Sequence, residues 1–129
     1  MLKLDNYFNI KWLVIAVIFT SIIILLTHIP QKVMPPRLQE YGLDKLYHVF
    51  AYGVITFLFI LSLKESSSLL YALLLFCAIL AIGIIDEVTQ PLVNRQASLA
   101  DLVANIIGVV TVLLLFMACK YQFQKTKTE

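Results

Sequence analysis

The chain contains four long apolar runs, and these runs constrain its fold more than any other feature. Each is close to the ~20 residues that an α-helix needs to cross the hydrocarbon core of a membrane. Because lipid offers no partner to backbone N–H and C=O groups, each run must bond internally as a helix, and the alternating pattern of barrel strands is absent. The runs predict an all-α bundle of four transmembrane helices, one domain over 1–129, with helices at about 12–29, 44–63, 69–90 and 101–119.

The composition supports lipid as the surrounding solvent. Hydrophobic residues make up 60% of the chain and charged residues only 14%, whereas soluble chains carry roughly 25% charged residues. The net charge of +2 is not gathered into a basic patch, so nucleic acid is not a predicted partner. Cys77 and Cys119 lie inside apolar runs, where neither a disulfide nor a metal site is indicated.

The connections between the runs predict the topology. The first run ends at Pro30 without a cleavage site for signal peptidase, so we expect it to remain as the first span. The longest connection is 31–42, and 65–68 is predicted to be a tight turn. Lys and Arg number six on the face that holds both termini and four on the opposite face, which favours cytoplasmic termini by the positive-inside rule.

Most polar residues near the membrane boundary fall in two connections that share one face, because an even number of spans separates them. Asp44, Lys45 and His48 begin the second run. The end of the third run and the start of the fourth carry Asp86, Glu87, Gln90, Arg95, Ser98, Asp101 and Asn105.

The second and third runs hold the ionisable residues that point most directly to chemistry. Asp44 and His48 are four residues apart and share a helix face, although Asp44 also suits a helix N-terminus and a lone His48 can simply bond a neighbouring helix. Asp86 and Glu87 lie near a helix C-terminus, where the dipole disfavours negative charge. Two carboxylates at the hydrocarbon boundary cost free energy unless they are compensated, and this favours a functional site.

The fourth run begins with a capping pattern, Ser98 followed three residues later by Asp101. Asp101, Asn105 and Gly108 share one helical face, and the small Gly108 permits the close approach of another helix. This face is predicted to point into the bundle. The first run is expected to provide apolar packing and little chemistry.

These residues allow three kinds of chemistry. A histidine with carboxylates supports acid–base catalysis, for which the candidates are His48, Asp86, Glu87 and Asp101. Lys45 and Arg95 can hold an anionic headgroup such as phosphate. His48 and the carboxylates can instead ligate a divalent cation that bridges to phosphate. The candidate ligand-binding residues are Asp44, Lys45, Gln90, Arg95, Ser98 and Asn105.

The same residues resemble the VanZ-like family of small bacterial membrane proteins. The resemblance covers about 40–115 and is carried by the segment Gly42-Leu-Asp44-Lys45-Leu-Tyr-His48, by Asp86-Glu87-Val-Thr-Gln90, and by Arg95 with Ser98-Leu-Ala-Asp101 and Asn105. It implies a helical bundle in the bacterial cytoplasmic membrane, in a family named for a member that raises resistance to teicoplanin. It also implies that these polar positions form the site.

Three functions remain open at this stage. The first is an enzyme acting on a lipid or lipid-linked cell-envelope intermediate. The second is a non-catalytic binder of an anionic lipid or a glycopeptide-like ligand. The third is a small structural subunit of a membrane complex, in which the charges only fix helix register. A transport pore is disfavoured because the first two runs carry no polar stripe through the midplane.

Overall fold

The described part of the chain is almost entirely helical. The computed structural model describes residues 7–33, 43–64 and 69–126. No strand occurs in these residues beyond an isolated bridge between Phe8 and Leu63. Four long helices follow one another: α1 (Ile10–Thr27), α2 (Leu43–Ser62), α3 (Leu69–Thr89) and α4 (Leu99–Thr126), with short 3₁₀ turns at Gln31–Val33 and Gln90–Val93. The all-α prediction is confirmed, while 34–42 and the predicted turn at 65–68 lie outside the described residues.

All four helices are long and apolar enough to cross a membrane. Large apolar side chains cover their outer surfaces; Leu25 is 71% exposed and Phe50 is 69% exposed. Soluble proteins rarely leave extensive apolar patches open to water, whereas lipid chains solvate such surfaces. The chain is therefore a multi-pass membrane protein.

Helix α4 departs most from its predicted length. It begins at Leu99 and continues to Thr126 instead of ending at Cys119. No glycine or proline interrupts 120–126, and the lysines and glutamines there are good helix formers. The polar tail therefore continues the helix beyond the apolar span.

Helix α2 lies at the centre of the bundle and packs against the other three helices. Its buried residues recur every three or four positions, as with His48, Tyr52, Ile55 and Phe59, and so form one face of the helix. The most extensive contact is with α4. Polar and apolar buried residues share this face, with His48 near the helix N-terminus, Thr56 in the middle and Ser62 at the C-terminus.

Glycines allow α2 and α4 to pack backbone against backbone. A Cβ atom on Gly108 would overlap the carbonyl oxygen of Val49, whereas a Cβ on Gly53 would make ordinary contact with Val112. The close approach predicted at Gly108 is confirmed. Because His48 and Asn105 lie within a turn of this crossing, the crossing sets the distance between them.

The two ends of the bundle differ in chemistry. One end, named the polar end here, is formed by the C-termini of α1 and α3 and the N-termini of α2 and α4. At the opposite end Asn9 N–H donates to Ser62 C=O at 2.7 Å, and the rings of Tyr7 and Tyr71 lie 4.5 Å apart. Every buried carboxylate among residues 7–33, 43–64 and 69–126 lies at the polar end.

Candidate functional site at the polar end

Two adjacent carboxylates of α3 point in different directions. Asp86 is 1% exposed and Glu87 is 4% exposed. Successive residues on an α-helix are rotated by about 100° around its axis. Asp86 therefore contacts α1 and α2, whereas Glu87 contacts the start of α4. The polar residues that the sequence groups into one site form two clusters.

The Asp86 cluster consists of Thr27, His28, Tyr52, Asp86 and Thr89. Asp86 Oδ1 accepts a hydrogen bond from Thr27 Oγ1 at 2.6 Å, and Oδ2 accepts one from the Tyr52 hydroxyl at 3.1 Å. His28 Nδ1 lies 3.4 Å from Oδ1 and forms an ion pair when the ring is protonated. The other ring nitrogen lies 2.9 Å from Thr89 Oγ1. Both oxygens of this carboxylate therefore have donors.

Arg95 lies beside the Asp86 cluster and contacts the end of α1. Its Nη1 donates to the Thr27 carbonyl at 2.7 Å. The last carbonyls of a helix lack partners within the helix, and a cation is favourable there. The guanidinium thus caps α1. The sequence places Arg95 in one site with His48, but no described contact joins the two residues.

Helix α1 contributes polar contacts to the polar end in addition to the apolar packing predicted for it. Thr27 and His28 meet α3 through Asp86 and Thr89. The sequence did contain an indication of these contacts. A Thr-His pair ends the first apolar run, on the membrane face that carries the other polar residues. Tyr52 was missed because hydropathy counts it as core, although it lies one turn below His48 on the same face.

The His48 cluster consists of His48, Glu87 and Asp101, and none of the three is more than 4% exposed. One nitrogen or oxygen atom from each residue lies within 4.8 Å of the others. His48 Nε2 is 3.9 Å from Asp101 Oδ2, which is longer than the roughly 2.7–3.2 Å of a hydrogen bond. The three helices α2, α3 and α4 each supply one member.

Asn105 fixes the state of the His48 ring. Its side-chain oxygen lies 2.8 Å from His48 Nδ1. Because a carbonyl oxygen can only accept, Nδ1 carries the hydrogen. In the neutral ring, Nε2 is then an unprotonated acceptor beside the carboxylate of Asp101. The buried, inward-facing positions predicted for Asp101 and Asn105 are confirmed.

Glu87 joins the end of α3 to the start of α4. Its Oε1 accepts from the backbone N–H of Ser98, and its Oε2 accepts from Gln90 Nε2 at 3.2 Å. Asp101 N–H also donates to Ser98 Oγ at 3.4 Å, as the predicted cap requires. The unfavourable dipole at the end of α3 is thus offset, because the carboxylate lies at the positive end of α4.

Lys45 forms the outer edge of the His48 cluster. Its Nζ lies 3.1 Å from Asp101 Oδ1 and 3.0 Å from Asp44 Oδ2, and its side chain is 43% exposed. Asp44 therefore contacts Lys45, and no described contact joins it to His48. Lys45 is the cation that reaches both the buried cluster and the surface.

Several buried polar atoms near the His48 cluster have no hydrogen-bond partner among the described residues. They include Gln90 Oε1 and Asn105 Nδ2. Asp101 Oδ1 also lacks hydrogen-bond geometry, but we count it as ion-paired because Lys45 Nζ is 3.1 Å away. Buried polar groups are normally satisfied, so such atoms indicate a ligand, ion or water.

A small apolar cleft of about 80 Å³ opens between α3 and α4 beside this cluster. Its lining includes Ile79, Gly83, Leu102 and Ile106, and Asn105 belongs to both the cleft and the polar surroundings of His48. The polar end and the cleft are therefore contiguous.

Comparison of the chain with protein-family models, curated proteins and solved structures gave no match. The assignment of the site accordingly depends on its geometry.

Proposed function

We propose that this chain is a VanZ-like enzyme of the bacterial cytoplasmic membrane that acts on the phosphate-bearing headgroup of a lipid or lipid-linked cell-envelope intermediate. The observation that carries the proposal is the His48 cluster, in which two carboxylates and an imidazole are buried together at the polar end. Ionisable groups are costly there and are typically retained for function. In this proposal the polar end faces the extracytoplasmic side and both termini are cytoplasmic.

Lys45 is the group that first meets the headgroup. Its side chain is 43% exposed while that of Asp101 is 6% exposed, so the ammonium lies at the boundary between solvent and the buried cluster. An ammonium is a compact point charge that suits a phosphate oxygen. A phosphate held at Lys45 is therefore adjacent to the carboxylate of Asp101.

His48 supplies the group that handles a proton. With Nδ1–H held by Asn105, the free Nε2 can accept a proton from a hydroxyl or water beside the phosphate, or can hold a cation that activates that water. Asn105 acts as a positioning residue because it orients the ring without facing the headgroup.

The α3–α4 cleft receives the part of the hydrocarbon chain nearest the headgroup. Its walls are apolar apart from Asn105 and Tyr52, and it begins beside the His48 cluster. An amphiphile with a phosphate headgroup and a hydrocarbon chain matches this change from polar to apolar lining. A soluble phosphate ester has no hydrocarbon chain to occupy the cleft, so a lipid is the better match.

The test is conversion of lipids by the purified protein. Wild-type protein is reconstituted into vesicles of bacterial polar lipid supplemented with a polyprenyl phosphate, and lipids are analysed by mass spectrometry before and after incubation. We expect a change in one phosphate-bearing lipid class that is lost in His48→Gln and Glu87→Gln. Gln96→Ala, an exposed position between α3 and α4, is the control that retains conversion. Equal conversion in all four proteins would contradict the proposal.

A second candidate is a non-catalytic binder of the same headgroup. It is favoured by the contrast between the exposed Lys45 and the nearly complete burial of His48, Glu87 and Asp101. In that case Lys45→Gln abolishes retention of anionic lipid during purification, His48→Gln leaves it intact, and no lipid is converted by any variant. Retention and conversion measured on one set of proteins separate the two candidates.

A further inference from the structure

We propose that His48, Glu87 and Asp101 bind one divalent transition-metal ion, Zn²⁺ or Mn²⁺. The three residues come from three helices and are all buried at the polar end. This deepens the proposed function, on which its catalytic meaning rests, because a bound ion polarises a phosphate oxygen and neutralises its charge. Binding of the ion itself can be measured without any lipid.

The distances match a shared ion better than a direct ion pair. Metal bonds to histidine nitrogen and carboxylate oxygen are about 2.0–2.2 Å long, so two ligands of one ion lie roughly 3–4 Å apart. His48 Nε2 and Asp101 Oδ2 are 3.9 Å apart. This is too long for a hydrogen bond and within the range of two ligands on a common ion.

The hydrogen bonding around His48 is that of a metal ligand. A ligating histidine typically donates its second ring N–H to a carbonyl or carboxylate, which fixes the tautomer and directs the lone pair at the ion. In this protein Asn105 Oδ1 accepts the hydrogen bond from His48 Nδ1–H at 2.8 Å. Nε2 then lies on the side of the ring that faces Asp101, within the same group of potential ligand atoms as Glu87.

The net charge of the described residues around the cluster favours binding of a divalent cation. When ionised, Asp44, Glu87 and Asp101 carry three negative charges against the single positive charge of Lys45, which contacts Asp44 and Asp101. The net charge is then −2, which a divalent cation neutralises. Unpaired charge in a low-dielectric site is strongly unfavourable, so a counterion there is stabilising.

Gln90 supplies an independent indication. Its side chain is fully buried, its Nε2 donates to Glu87 Oε2 at 3.2 Å, and its Oε1 has no hydrogen-bond donor among the described residues. Because both atoms belong to one amide group, this unsatisfied oxygen lies beside the Glu87 carboxylate. An amide oxygen is a suitable additional ligand for a cation held by carboxylates.

The nature of the donors favours Zn²⁺ or Mn²⁺ over Ca²⁺ or Mg²⁺. Calcium and magnesium sites are built from oxygen, whereas imidazole suits the transition metals. A site with one imidazole and two carboxylates fits the metals that accept both.

The direct test is titration of the full-length protein, purified in detergent and freed of metal with a chelator. Zn²⁺ is followed by calorimetry and Mn²⁺ by electron paramagnetic resonance. We expect one ion per chain, removed again by the chelator. Dissociation constants weaker than about 1 mM for both metals would overturn the proposal.

Matched variants locate the ion. His48→Gln and Asp101→Asn each remove one ligand, and we expect each to weaken binding by more than about tenfold, since even partners of ligands typically contribute 10–100-fold. His28→Gln makes the same change at the same end of the bundle outside the cluster, and it should bind as wild type does. Equal affinity in His48→Gln and wild type would place the ion elsewhere.

A spectroscopic measurement keeps the test valid if a variant does not fold. Electron spin echo modulation of the wild-type Mn²⁺ complex detects a directly coordinated imidazole nitrogen. Its presence supports His48 as a ligand, and its absence overturns the assignment.

Lys45→Gln separates this inference from the proposed function. Removing the ammonium beside Asp101 also removes its repulsion of the ion, so we expect Zn²⁺ and Mn²⁺ to bind more tightly. The same variant is expected to lose anionic lipid. Intact metal binding with no lipid retention or conversion in any protein would reject the proposed function alone. Lipid conversion by a protein that binds neither metal would reject the metal site alone.

Discussion

Asp86 and Glu87 are consecutive residues of α3, and the comparison between them separates a structural charge from a candidate site. Both carboxylates are almost fully buried. Asp86 receives hydrogen bonds from Thr27 and Tyr52 on two other helices. Glu87 is bonded to Ser98 and Gln90, but it also shares its surroundings with the Asp101 carboxylate and the His48 imidazole.

The difference shows that burial of a charge is not enough to identify a site. Donors around a carboxylate satisfy it and join helices, which is what the Asp86 cluster does for α1, α2 and α3. Acceptors facing acceptors are unfavourable unless something positive lies between them. The His48 cluster has this second arrangement when its imidazole is neutral, and a ligand then explains it better than stability does.

The largest expected effect is that of Asp86→Ala on folding. The substitution leaves the Tyr52 hydroxyl without its acceptor and His28 without its carboxylate, while the Thr27 hydroxyl keeps only the Ile24 carbonyl. Removing one partner from a buried charged network typically costs about 3–5 kcal/mol. Unfolding in detergent, followed by circular dichroism, should show this loss, with Gln96→Ala as the control. Stability equal to that of wild type would show that the Asp86 cluster does not hold α1 in place.

Gly108→Ala is expected to disturb the His48 cluster by separating α2 from α4. The added methyl group would overlap the Val49 carbonyl, and overpacking of this kind typically costs about 1–3 kcal/mol. Gly53→Ala is the matched control, because its Cβ would lie at 3.6 Å from Val112, an ordinary contact. The measurement is the thermal midpoint of each variant. Equal loss in both would mean that the Gly108 crossing is not the tighter constraint.

The helices were predictable from the sequence because their signal is local. Apolar runs of sufficient length, closed by Pro30 and Pro91, gave four spans with ends near those observed. The end of α4 was not predicted, because hydropathy marks where the apolar span ends and the helix continues into polar residues that favour the same conformation.

The candidate site was only partly predictable because its grouping depends on rotation around each helix. Topology correctly placed His48, Asp86, Glu87 and Asp101 at one end of the bundle. It did not reveal that neighbours on α3 face different helices. The same topological rule places Thr27 and His28 at that end. They were left out of the site because the high hydropathy of the first run indicates only apolar packing.

Tyr52→Phe tests the contribution of a single donor to the Asp86 cluster. It removes the hydroxyl that lies 3.1 Å from Asp86 Oδ2 and leaves the ring in place. A hydrogen bond to a charged group typically contributes about 1.5–3 kcal/mol, and Thr27 still bonds the other oxygen, so we expect a loss near the lower value. Tyr47→Phe is the control because Tyr47 is 62% exposed. Equal unfolding free energies in the two variants would remove Tyr52 from the cluster.

Asp101→Asn should have the smallest effect on the metal-free protein, although Asp101 is as buried as Glu87. Neutralising it removes an attraction to Lys45 and also a repulsion from Glu87, so the two changes largely cancel, and we expect a change below about 1 kcal/mol, close to that of a partly exposed ion pair. The thermal midpoint is measured with chelator and again with Mn²⁺. Wild type should be stabilised by the ion, since a ligand that binds only the folded state raises stability, and Asp101→Asn should not. A loss with chelator as large as that of Asp86→Ala would mean that both clusters are structural, and the distinction between the two neighbouring carboxylates would no longer hold.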